Sequence, residues 1–126
     1  MPTHIHHGSY RHREGYKGAL ALLQEGVTAL IAGDSMMTAG ALEACHNAGK
    51  RIGEEIALVG FDDFIYLRFQ PSPISVVDQD VARMGETATA KLIAAINKKH
   101  QPEGEVLETR YIPRMSTAHQ LDGATP

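Results

Sequence analysis

Two aspartates occupy matched places in the chain. Asp34 follows the apolar run 28–32 after Gly33, and Asp62 follows the run 56–60 after Phe61. Short, unbroken apolar runs of this kind suit strands covered on both faces, which pair in parallel. If the two strands are neighbours, they lie roughly 5 Å apart in the hydrogen-bonding direction, and both carboxylates open on one rim. That rim is where open parallel sheets bind ligands, because loops there lead into helix N-termini. Carboxylates only accept hydrogen bonds, so a matching ligand offers donors, as sugar hydroxyls and amines do. A phosphate would be repelled unless Arg11 or Arg13 compensated. Taken singly, each acid fits a turn or N-cap role serving its own backbone; the matched placement is what points to a site.

The elements that must position these acids follow from periodicity. Tyr16, Ala19, Leu20 and Leu23 keep the spacing of one helical stripe, and Glu25-Gly26 supplies its stop. Between the two apolar runs, Met37, Ala41, Ala44 and Ala48 share a helix face with Leu42 and Cys45 beside it, ending at Gly49. Residues 61–73 form an irregular connection broken by Pro71 and Pro73, and 74–78 form a further strand. Asp80 caps a long helix carrying Val81, Met84, Ala88, Leu92 and Ile96, with Lys98, Lys99 and His100 at its negative end and Pro102 and Gly104 beyond. Residues 105–112 form a last strand. Helix alternating with strand predicts a right-handed α/β parallel sheet. Residues 1–8 and 118–126 have no period; His4, His6 and His7 lack an acidic or Cys partner beside them and read as loose leader rather than metal site.

Composition narrows the function. At 126 residues and 43% hydrophobic, the chain supports one modest core. Its 12 Lys and Arg against 15 Asp and Glu provide no basic field for a phosphate backbone, so nucleic acid is not expected as a direct ligand. Cys45 is the single cysteine, reads as a buried small hydrophobe, and suits a reducing cytoplasm. No apolar run has the length of a membrane span, and the N-terminus lacks a signal-peptide core.

Several ordered motifs then coincide: "IGEEIALVGFDDF", a Pro-rich step into "ISVVDQDVARMGETATAKLIAAI", and a closing "RYIPRMST". Together, over about residues 9–117, they resemble the lactose-repressor and galactose-repressor family of bacterial regulators. The resemblance implies a three-layer αβα, periplasmic-binding-protein-like fold of two lobes, with a small effector in the cleft and no cofactor or metal. Residues 9–79 would belong to the second lobe, 80–108 to a helix and strand of the first, and 109–117 to a return strand. Asp62 matches the family's effector-contacting acid. Asp34 falls where members carry a cleft Asn, and the usual Asn-Asp pair reads Asp34-Ser35 here. An amide that donates and accepts is thus exchanged for an acid that only accepts, which favours a donor-rich or cationic effector. Tyr10 falls where sugar-responsive members have a stacking aromatic, and Gln79 where the chain crosses between lobes.

Relatives also begin with a helix-turn-helix for which the residues before Tyr16 leave no room, so operator binding is expected of a full-length parent rather than of these residues. The expectation is an effector-binding, non-catalytic, cytoplasmic homodimer, joined through Met36, Ala39, Phe64, Phe69 and Gln70 or by exchange of the helix from residue 81. Two rivals use the same residues differently. Asp34 and Asp62 could hold Mg²⁺ or act as acid and base in an enzyme, or serve a receiver-like module. Against these, no phosphate-binding glycine loop or nucleophile elbow is present, and the alternating elements are too few. A third class is an assembly subunit for a separate lobe-bearing chain.

Overall fold

The computed structural model describes residues 4–97 and 103–118. Lys98, Lys99, His100, Pro102, residues 1–3 of the leader and the tail from 119 lie outside them. The elements are α1 (His12–Gln24), β1 (Ala29–Ile31), α2 (Ser35–Asn47), β2 (Ala57–Phe61), α3 (Ile65–Arg68), β3 (Ser75–Asp78), α4 (Val81–Ile96), β4 (Arg110–Ile112) and a 3-10 turn at Met115–Thr117. The sheet order is β1-β2-β3-β4. The first three strands run parallel and β4 pairs antiparallel with β3, so the sheet is mixed.

Glycines set the helix ends as the sequence predicts. Gly26 (φ 80°) follows α1 and Gly49 (φ 66°) follows α2, left-handed positions that glycine occupies without a Cβ penalty. The core gathers Ala19, Leu30, Ala41, Ala44, Cys45, Ile56, Leu58, Leu67, Ile74 and Val76. Cys45 is fully buried, and burial pushes its thiol up to about 11, so it packs as a hydrophobe rather than serving as a nucleophile. Helices α1 and α2 pack through Gly15 and Gly40. A Cβ at Gly40 would stand 2.2 Å from His12 O, and one at Gly15 2.5 Å from Met37 O.

Several expectations need correction. α1 begins at His12, four residues before Tyr16. β1 is not covered on both faces: Leu30 is buried in the core that includes Ala19 and Ala41, while Ile31 is 80% exposed. The buried stripe of α2 is Thr38, Gly40, Ala41, Ala44 and Cys45, with Met36 and Ala48 exposed. The close approach to α1 selects small side chains for the inner face, where Ala41, Ala44 and Cys45 lie as expected and Ala48 does not. The 61–73 connection contains α3, a single helical turn. Of the expected strand 105–112, only Arg110–Ile112 pairs. α4 starts where Asp80 predicts, its carboxylate accepting from Arg83 N at 3.1 Å. None of its residues is buried, and Val81, Met84, Leu92, Ile93 and Ile96 are exposed.

The closing Arg-x-Ser-Thr segment seals the sheet's far side. Ser116 Oγ donates to Leu58 O at 2.6 Å and accepts from Ser75 N at 2.8 Å, while Ser75 and Thr117 share a hydroxyl contact of 2.7 Å. These buried polar groups are satisfied by one another, which the low-dielectric interior requires.

Candidate functional site

Three successive parallel strands deliver side chains to the same rim. Ile31 pairs with Val59 in register, and Asp34 and Asp62 each lie three residues further on. Phe61 pairs with Val77, so Gln79 leaves β3 one residue past the level of Asp62. Asp34, Asp62 and Gln79 therefore leave neighbouring strand ends, which for the two acids is the placement the matched spacing predicts.

The two acids then differ. Asp34 is the N-cap of α2: its Oδ1 accepts from Met36 N at 2.8 Å and Met37 N at 3.2 Å. One carboxylate oxygen is thus committed to the helix it begins, the local role the sequence also allowed. Asp62 has the opposite character. It is 8% exposed, its backbone is left-handed (φ 61°), and its Oδ1 is buried with no hydrogen-bond partner. A non-glycine residue in that conformation costs about 1–2 kcal/mol, and an unsatisfied buried acceptor about 1–3 kcal/mol. Both features oppose folding, and such strain concentrates at binding sites.

The other predicted residues are partly or largely accessible. Ser35 opens α2 and is half-buried, as is Gln79. Tyr10 is 78% exposed. Two residues further on, the backbone of His12 lies against Gly40 of α2. Tyr66, missed by the sequence reading, stacks on Phe64 with ring centroids 6.0 Å apart. Its hydroxyl is raised above the usual tyrosine range, first by burial and then by the charge of Asp34. Thr38 was read only as part of a helix; it joins the two acid-bearing loops, and its sequence signal is a hydroxyl residue inside an apolar stripe.

Asp63, the second acid of the Gly-Phe-Asp-Asp turn, is structural. Its Oδ2 accepts from Arg68 Nη2 at 2.8 Å, and its Oδ1 meets Arg114 Nη2 at 2.7 Å as an ion pair outside hydrogen-bonding angles. Arg114 also donates to Ile74 O at 2.9 Å, tying α3, β3 and the C-terminal segment together. Burial works to raise the Asp63 carboxyl, but Arg68 and Arg114 outweigh it and hold it below the usual carboxylate range. The folded state therefore binds this proton more weakly than the unfolded state. The stability gained is complete above the unfolded value and lost as pH falls through the lower folded one. Asp63→Asn should cost about 2 kcal/mol at neutral pH, less than a fully buried pair because Arg68 is exposed. In urea titrations the gap from the parent should close in acid below about pH 4; a gap independent of pH would contradict this role.

The residues expected at a dimer surface are accessible. Met36, Phe64 and Phe69 are exposed, and Ala39 and Gln70 line a groove of about 560 Å³ with Leu42, Ile52 and Pro71. In the leader, His4 pairs with Glu25 and the His6 ring lies against Gly18. Among the described residues no three His, Cys, Asp or Glu side chains converge as metal ligands, and no helix is long and apolar enough to cross a membrane.

Comparison with known proteins agrees with this geometry. The family described as "Periplasmic binding protein-like domain" matches residues 3–117. The HTH-type transcriptional regulator MalR of Streptomyces coelicolor is 30% identical over 115 residues, 90% of this chain and 33% of that regulator. The chain thus spans about a third of the length of the curated relatives it matches. A probable LacI family transcriptional regulator from Corynebacterium glutamicum superposes with a TM-score of 0.75 at 37% identity, covering 85% of this chain and 38% of that one. A transcriptional regulator CelR–cellobiose complex superposes with a TM-score of 0.76 at 28% identity, covering 86% and 34%. These relatives are transcriptional regulators rather than enzymes. The chain belongs to the periplasmic-binding-protein-like domain family and, within it, to the effector domain of LacI/GalR-type transcriptional regulators.

Proposed function

We propose that the rim formed by Asp34, Ser35, Asp62 and Gln79, with Tyr10 at its edge, binds a small, donor-rich effector of the sugar class. The observation that carries this is Asp62: a buried, unpartnered carboxylate oxygen held by a left-handed backbone at the end of a central strand. Hydroxyl donors of a sugar would satisfy it, and an aromatic ring such as Tyr10 covers a sugar's apolar face. The cellobiose named in the CelR complex supports the ligand class. The free oxygen of Asp34 adds negative charge, so an amine is the other ligand chemistry the rim suits. The site senses rather than catalyses. Operator reading is assigned to the portion of such regulators outside the matched third, and the site of action to the cytoplasm.

The same reading makes the exposed Met36, Phe64 and Phe69 with the Ala39–Gln70 groove a contact between two copies. An apolar patch of this kind is a normal association surface. A thermal-shift panel of sugars, polyols, amines and nucleobases tests the site. At least one compound should raise the melting temperature of the parent and have no effect on Asp62→Ala; no hit, or a hit that survives the substitution, would contradict the assignment. Sedimentation at micromolar concentration tests the contact, for which a well-folded monomer is the contrary result.

A further inference from the structure

We propose that Thr38 is a positioning residue that holds the Asp34 and Asp62 loops in the relation a ligand requires. This rests on the effector site assigned above. Thr38 is fully buried in α2. Its Oγ1 donates to Asp34 O at 2.7 Å and accepts from Phe61 N at 3.0 Å. One hydroxyl therefore ties the residue bearing the first carboxylate to the residue preceding the second.

The topology explains why a side chain is needed there. Paired strands of a parallel sheet alternate their N–H groups between neighbours. Asp62 N points to β3 and bonds Val77 O, so Phe61 N points to the β1 side. β1 has already left the sheet: its last pairing is Ala32 N to Val59 O, and Gly33 turns the chain toward α2. Phe61 N would have no backbone acceptor, and Thr38 Oγ1 stands where the missing carbonyl would be. Gly60 makes room for it, since a Cβ there would lie 2.5 Å from Thr38 Cγ2. A valine at position 38 would fill the same space yet sever both bonds. The Asp34 cap and the left-handed Asp62 would then be free to move relative to each other.

Isothermal titration with maltose, cellobiose, D-galactose and spermidine compares the parent with Thr38→Val, Thr38→Ser and Ser116→Ala. At least one of the four probes should bind the parent. Thr38→Val should bind it about tenfold more weakly, the equivalent of one lost hydrogen bond. Thr38→Ser keeps the hydroxyl and should bind within about threefold of the parent, although losing the methyl lowers its melting temperature. Ser116→Ala, destabilised at a distance from the rim, should keep parental affinity and so separates positioning from stability. A folded Thr38→Val with parental affinity overturns the proposal, as does a Thr38→Ser that loses affinity tenfold; if Thr38→Val does not fold, Thr38→Ser alone decides. Failure of all four probes to bind the parent overturns the site together with Thr38's role, an outcome distinct from parental binding that ignores Thr38.

Discussion

Replacing Gly40 by alanine should lower the unfolding free energy by about 3 kcal/mol, a large part of what a domain of this size possesses. A glycine inside a helix normally gains about 1 kcal/mol on becoming alanine, because the chain loses less entropy on folding. Here the sign reverses. The added Cβ would lie 2.2 Å from His12 O and 2.5 Å from Tyr16 N, both backbone atoms of α1 that no rotamer change can move. Gly15 faces the same difficulty from the other side, 2.5 Å from Met37 O. Only separation of the two helices relieves both clashes, and separation opens the core at Ala19, Ala41 and Ala44. Gly85 in α4 is the control: nothing lies within 4 Å of its would-be Cβ, so Gly85→Ala should be neutral or stabilising by the ordinary helix propensity. Urea denaturation of the two variants should move in opposite directions. An unchanged midpoint for Gly40→Ala would mean that α1 and α2 do not meet as closely as described.

Asp62→Gly should make the protein more stable, by about 1 kcal/mol, while removing its response to ligand. Glycine takes the left-handed backbone without penalty and deletes the unpartnered buried oxygen, which together outweigh its extra entropy in the unfolded chain. A residue retained at a cost to folding is the signature of a trade between stability and binding. The measurement is a denaturant midpoint for Asp62→Gly beside its thermal-shift response to the compound that stabilises the parent. Loss of stability on substitution would instead make Asp62 a structural residue like its neighbour Asp63.

The adjacent acids show how much of the site is legible in sequence. Strand spacing identifies Asp34 and Asp62 as equivalent rim positions, and the register Ile31 to Val59 bears that out. Their different employment is not legible. Asp34 has its first oxygen taken by Met36 N and Met37 N, a local matter that N-cap rules anticipate, whereas the isolation of Asp62 depends on everything packed around it. Asp63 looks identical to Asp62 in the sequence, yet its partners Arg68 and Arg114 come from five residues and from the far end of the chain. Apolar period likewise locates α2 and its buried Ala41, Ala44 and Cys45, but it also admits the exposed Ala48 and gives no sign of Gly40, whose burial depends on contact with α1. β1 shows the same limit. An apolar run predicts a strand, but whether both faces are covered depends on what packs over it, and Ile31 is left 80% exposed.

Calorimetric titration of the stabilising compound into the parent and into Asp62→Asn bears most directly on the role of the Asp62 carboxylate. Asparagine keeps the size and tolerates the left-handed backbone, yet replaces a charged acceptor with a neutral amide. Affinity should fall about thirtyfold, as expected for loss of a charge-assisted hydrogen bond. Equal affinity in the two proteins would show that the ligand does not engage this carboxylate and that the rim is not its site.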